Sequence, residues 1–148
     1  MTERSSPFPD RLAALVEERR SQIVLGLDPD PAALWPRAVE AAGTAGDARE
    51  RTAAAVAAHC RAAIEAAGPS CVAVKLQLAC FERLGAPGWA ALEQAVAAAR
   101  EHGLLVIADG KRGDVPVTAK AYAQALVGSV DGPFGAVAGL GADAFTAN

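Results

Sequence analysis

Residues 104–123 read "LLVIADGKRGDVPVTAKAYA", and their reading decides the fold. The run ending at Ala108 is continuously apolar, as expected of a strand covered on both faces. Asp109, Lys111, Arg112 and Asp114 follow within six residues. A buried strand that empties into alternating charge predicts a strand end facing a ligand. From Asp114 onward, "DVPVTAKAYAQALVG" predicts a turn and then a helix, with Pro116 near its start, where a missing N–H costs nothing.

Working outward, the same alternation recurs. "SQIVLGL" and "SCVAVKLQ" are short apolar strand candidates, and "ADAFTAN" is a fourth. Helices are predicted over "SSPFPDRLAALVEERR", with Asp10 as its cap, over "DARERTAAAVAAHCRAAIEAA", ended by Gly68-Pro69, and over "GWAALEQAVAAAREHG", ended by Gly103. "GSVDGPFGAVAGLG" is expected to be a glycine-rich link. The pattern α(βα)₃β predicts parallel strands joined by right-handed crossovers.

Three strand ends then carry charge: Asp28 after "IVLGL", Lys75 after "CVAV", and Asp109 with Lys111 after "LLVIA". In parallel α/β folds these ends share the ligand-binding side. Strands about 4.8 Å apart make Lys75 and Asp109 neighbours, and the period of two places Asp109 and Lys111 on one face. Each charge also has a plainer reading. Asp28 caps the Pro-Asp-Pro turn, Asp114 caps the following helix, and Arg112 and Lys120 are solvated. Against these stands the coincidence of three strand ends with D-x-K-x-x-D spacing.

Composition narrows the function classes. The chain has 148 residues, 52% hydrophobic and 21% charged, enough for one domain with a core. A net charge of −3 and 5% aromatics argue against nucleic acid as partner. The N-terminal twenty residues lack a signal-type apolar run, and no window approaches a membrane span. Cys60, Cys71 and Cys80 follow no metal spacing and are read as reduced, buried residues of a cytoplasmic protein. "GLGADA" at 139–144 lacks a third glycine and a preceding strand, so it is not read as a nucleotide loop.

With "GLDPDP", "VAVKLQLACFE", "IADGKRGDVPVTAKAYA" and "GADAFTAN" in this order, the chain resembles the orotidine 5′-phosphate decarboxylases, in their longer-chain branch called type 2. "VPVT" after Asp114 departs from that branch's "IGST", and "ACFE" stands for "AFFE"; neither touches a charged position. The resemblance implies a (β/α)₈ TIM barrel of which residues 1–148 hold about the first four strands. It implies decarboxylation of orotidine 5′-phosphate to UMP in pyrimidine biosynthesis, by a homodimer with shared active sites and without cofactor or metal.

Carried over, the resemblance makes Lys111 the proton donor and places Lys75, Asp109 and Lys111 in a charged network. Asp114 is to complete that network from the partner subunit. Asp28 and Lys75 bind substrate, and Thr118 touches it beside Asp114. An eight-unit barrel needs roughly 200 residues or more, so the sequence is expected to be the N-terminal half of a truncated barrel, inactive by itself, with strands one and four as open edges. The alternatives are a Mg²⁺-dependent hexulose-phosphate synthase or keto-gulonate phosphate decarboxylase, a Schiff-base aldolase using Lys111 or Lys75, and an inert half-barrel module. A lysine rather than an acid on strand two speaks against the Mg²⁺ enzymes.

Overall fold

The computed structural model describes residues 6–148; the first five residues, including the start of the N-terminal helix expected from Ser5, lie outside the described residues. Four parallel strands form the main sheet in the order β1-β2-β3-β6: β1 Val24–Leu27, β2 Ala73–Gln77, β3 Leu105–Arg112 and β6 Ala144–Ala147. The strands are joined through α2 (Pro36–Ala41) and α3 (Ala48–Ala67), then α4 (Leu78–Glu82) and α5 (Gly85–Glu101), then α6 (Pro116–Leu126). Helix α1 (Phe8–Arg19) precedes the sheet. The sheet's edges are β1 and β6, as expected.

Local chemistry explains the helix limits. Asp47 accepts the amides of Arg49 and Glu50 at 2.8 and 2.9 Å, and Glu50 accepts that of Asp47 at 2.8 Å. This reciprocal box satisfies donors that the first turn of α3 leaves unpaired. In α6, Pro116 sits in the first turn, as the sequence predicts. Asp10 is not a cap: α1 begins after Pro7, and Asp10 falls inside its first turn, near the positive end of the helix dipole.

The period of two divides each central strand between two environments. Val74, Leu76, Val106 and Ala108 face α3, α4 and α5, where Val56, Ile64, Phe81 and Leu92 are fully buried. Each such side chain contributes about 1.5–3 kcal/mol by leaving water. On the opposite face Ala73 and Leu105 pack with Val72 against Phe8, Leu12, Leu15 and Val16 of α1. Further along that face come Lys75, Gln77 and Asp109, toward the strands' C-terminal ends. Helix α1 thus closes one end of this face and leaves the charged end open. Arg19 fixes it there, donating to the carbonyls of Gly68, Cys71, His102 and Gly103 at 2.6–3.1 Å.

The expected link between α6 and the last strand holds an antiparallel hairpin, β4 (Ser129–Gly132) and β5 (Gly135–Ala138), turning at Pro133-Phe134. A strand therefore does precede "GLGADA", contrary to expectation. It is a hairpin arm, and the segment leads into β6 rather than into a helix, so no helix N-terminus is available for a phosphate. Cys60 and Cys71 are buried, while Cys80 is only partly so. Burial pushes the Cys60 thiol up to about 12, which keeps it protonated. Among the described residues, no helix is long and apolar enough to cross a membrane.

Candidate active site

Asp109 is buried, the fifth residue of β3, and both its oxygens are occupied. Oδ1 accepts the Lys111 ammonium at 2.6 Å and the Thr146 hydroxyl at 2.8 Å. Oδ2 accepts Lys75 Nζ at 2.9 Å and Gln77 Nε2 at 3.3 Å. Lys75 also reaches Asp28 Oδ1 at 3.4 Å. The structure thus brings together Asp28, Lys75, Asp109 and Lys111, four of the six residues expected at the site.

Register shows how they meet. Lys75 pairs with Ile107 across the ladder, and Gln77 pairs with Asp109. Lys75 therefore lies inside its strand rather than at its end, one side-chain repeat below Asp109, and its long stem spans the offset. Asp28 follows directly on β1 and is exposed. It does not cap the adjoining turn: Asp30 does, accepting the Ala32 amide at 3.1 Å.

The ladder between β3 and β6 is irregular. Ala108 faces Phe145 and Arg112 faces Ala147, so residues 109–111 bulge opposite Thr146. Thr146 fills the gap: its Oγ1 accepts the Lys111 amide at 2.9 Å and donates to Asp109. Within the bulge Lys111 has φ of 49°, a left-handed conformation that costs an L-residue roughly 1–2 kcal/mol. Gly110 is needed beside it, because a Cβ there would lie 2.7 Å from Cδ1 of the buried Leu78.

The charges tune one another. Hydrogen bonds from Lys111, then Lys75 and Thr146, hold the Asp109 carboxyl well below the usual carboxylate range, against the opposing effect of burial. Partial burial of Lys75 opposes its charge, but the hydrogen bond to Asp109 and the negative charges of Asp28 and Asp109 together raise its pKa. The result is an ionised acid between two ammoniums, a fixed field open on one side. Beside Asp28 a cleft of about 390 Å³ is lined by Leu27, Pro29, Ala33 and His59, among others.

Asp114 and Thr118 are not brought to this network. Asp114 is exposed; its carboxylate accepts the adjacent Val115 amide at 2.7 Å, and among the described residues it forms no ion pair. It is not the cap of α6, a place taken by Val115 without a side-chain bond. Thr118 is exposed on the first turns of α6. Sequence reasoning missed Gln77 and Thr146, though both stand in motifs it singled out. It also read Arg112 as solvated. The side chain is half-buried and donates to Glu82 at the end of α4.

A parallel sheet with alternating helices and a charged network across its C-terminal strand ends defines an arc of a (β/α) barrel with a lysine–aspartate site. Residues 21–148 match the model of the "Orotidine 5'-phosphate decarboxylase / HUMPS family", and the chain belongs to that family. It is 55% identical over 65 residues to the orotidine 5′-phosphate decarboxylase of Deinococcus radiodurans, covering 44% of this chain and 24% of that one. The structure of Leishmania donovani OMP decarboxylase superposes with a TM-score of 0.68 at 32% identity, over 96% of this chain and 44% of that one. Leishmania donovani UMP synthase gives 0.69 at 32%, over 97% of this chain and 25% of that one. The chain thus spans less than half the length of these relatives.

Proposed function

We propose that residues 1–148 form the first four strands of a single decarboxylase barrel domain and supply the charged part of a site that converts orotidine 5′-phosphate to UMP. The observation that carries this reading is Asp109 held between Lys75 and Lys111 at 2.9 and 2.6 Å. Breaking the bond between C6 and the carboxylate releases CO₂ and leaves the electron pair on C6, in the ring plane, where the π system does not delocalise it. A field fixed before reaction lowers that barrier without reorganisation. Lys111 is the group assigned to C6: its ammonium favours the developing charge, then gives its proton to the carbon and is left as an amine, recharged from water. Asp109 holds the ammonium in place. Asp28 is assigned to the substrate's ribose, Lys75 to the charged network and to substrate binding, and Asp114 with Thr118 to the site of a partner subunit in a cytoplasmic homodimer.

The family name also covers phosphosugar enzymes. A divalent cation does not fit this donor set: both oxygens of Asp109 already face ammoniums, and no group of three His, Cys, Asp or Glu side chains is arranged to hold a metal among the described residues. The proposed reaction needs no cofactor. The test is a chimera in which residues 1–148 replace the matching region of the Deinococcus radiodurans relative, assayed for UMP formation with and without a chelator. Chelator-insensitive turnover, lost in Lys111→Ala, is expected. A folded chimera that turns over only a sugar phosphate, and only with Mg²⁺, would sink the reading.

A further inference from the structure

Two short segments supply most of the network. "VKLQLACFE" (74–82) gives Lys75 and Gln77, and "DGKRGD" (109–114) gives Asp109 and Lys111. Apart from Asp114, each also carries one charge that the network does not use, Glu82 and Arg112. These two meet. Arg112 Nη2 donates to Glu82 Oε1, Nη1 donates to the Gly110 carbonyl at 3.1 Å, and the guanidinium lies 5.8 Å from the Tyr122 ring centroid. Both charged side chains are under a third exposed, at 29% and 28%.

Lys111 lies between the two backbone points that this guanidinium ties together, its own α-carbon and the carbonyl of Gly110. That is where φ is 49°. Glu82 is a firm anchor, since it directly follows the fully buried Phe81 at the end of α4. Tyr122 comes from α6, on the other side of the turn. We propose that Arg112 is a positioning residue: clamped by Glu82 and Tyr122, it holds the backbone around Lys111 in the left-handed turn that returns the Lys111 ammonium to Asp109. A planar fork of donors is required, because one head must bond a carboxylate and a carbonyl together while lying against a ring. A lysine has three donors on one compact head but no planar fork to bond the carboxylate and the carbonyl from two separate nitrogens while its face lies over the ring. This pairing also gives a physical reason for the two segments to occur together: each contributes half of a clamp as well as half of a network.

The test reads the Lys111 backbone directly, in the ¹⁵N-labelled 148-residue chain, from its three-bond amide-to-α-proton coupling. Wild type is expected to give the left-handed value. Arg112→Ala and Glu82→Gln are each expected to move it toward the extended value, and Arg112→Lys part of the way. The double variant should match Arg112→Ala rather than add to it, as one shared clamp requires. If Arg112→Ala does not fold, Glu82→Gln, which keeps the volume, decides. An unchanged Lys111 coupling in the folded variants would reduce the pair to an ordinary surface ion pair and overturn the proposal.

The kinetic arm rests on the decarboxylase reading and uses the chimera. There Arg112→Ala should lower kcat about a hundredfold with KM unchanged, the scale of misplacing a reacting group by about 1 Å. An active chimera whose kcat is insensitive to Arg112→Ala would count against the proposal. A chimera inactive even as wild type would overturn the decarboxylase reading, while the coupling still decides the role of Arg112.

Discussion

Thr146 and Asp109 are joined at 2.8 Å by a hydroxyl that also accepts the Lys111 amide at 2.9 Å. One side chain from β6 therefore fixes the carboxylate and the backbone of its neighbour together. Thr146→Val keeps the shape and removes both bonds, leaving Asp109 short of a donor. The cost is expected at about 1–3 kcal/mol, read from urea unfolding midpoints at neutral pH. Thr146→Ser retains the hydroxyl and should lose much less. Equal losses in the two variants would mean that packing of the methyl, not the hydroxyl, matters.

The network also sets a pH dependence. The carboxyl of Asp109 titrates below its ordinary 3.8 in the folded chain. Its stabilising contribution is therefore complete above 3.8 and disappears as pH falls through the folded value. Lys75 is raised above its ordinary 10.5, so its contribution is complete below 10.5 and fades as pH rises through the raised value. Both describe one cluster and are not additive. Asp109→Asn leaves two ammoniums without their carboxylate, at a cost of roughly 1–3 kcal/mol at pH 7, since both lysines keep contact with water. Unfolding curves from pH 7 to about 2 should show the gap between wild type and variant narrowing on the acid side. A gap independent of pH would show that the carboxylate's charge is not what stabilises the fold.

The central strands and the site face were legible because burial writes itself into sequence. Val74, Leu76, Val106 and Ala108 had to be apolar, so Lys75 and Asp109 stood out among them. The hairpin at 129–138 was not legible, because its strand residues are almost all exposed and leave no apolar alternation. Thr146 reads as an ordinary strand threonine until the bulge in β3 places its hydroxyl opposite Asp109. Arg112 reads as solvated because its partner lies thirty residues away, on another element. In each case the missing information was tertiary.

The 148-residue chain assayed by itself is expected to give no detectable UMP and to bind UMP weakly in calorimetry. Barrel enzymes draw much of their catalytic power from binding the remote phosphate, held by loops after strands seven and eight. The parallel sheet here has four strands, and its β1 edge leaves Ile23 and Val24 exposed at 57% and 43%. The same edge should drive concentration-dependent association in sedimentation, relieved by Val24→Lys. Turnover by purified chain free of host enzyme would show that the charged arc suffices.

The final prediction concerns Asp114, three residues beyond Lys111 yet without an ion pair in its own chain among the described residues. Val115 and Val117 beside it are exposed at 63% and 84%, an apolar flank such as a subunit contact would cover. If Asp114 serves the partner's site, Lys111→Ala and Asp114→Ala chimeras should each be nearly inactive as homodimers. In a mixed dimer one site inherits both defects. The other draws its Lys111 from one chain and its Asp114 from the other, and is intact. Random reassortment makes about half the dimers mixed, so roughly a quarter of all sites should recover, as two-fold symmetry requires. The two inactive proteins would be mixed, allowed to exchange, and assayed for UMP formation. Recovery near that fraction places Asp114 across the interface, whereas no recovery after exchange verified by native mass spectrometry places it within its own subunit's chemistry.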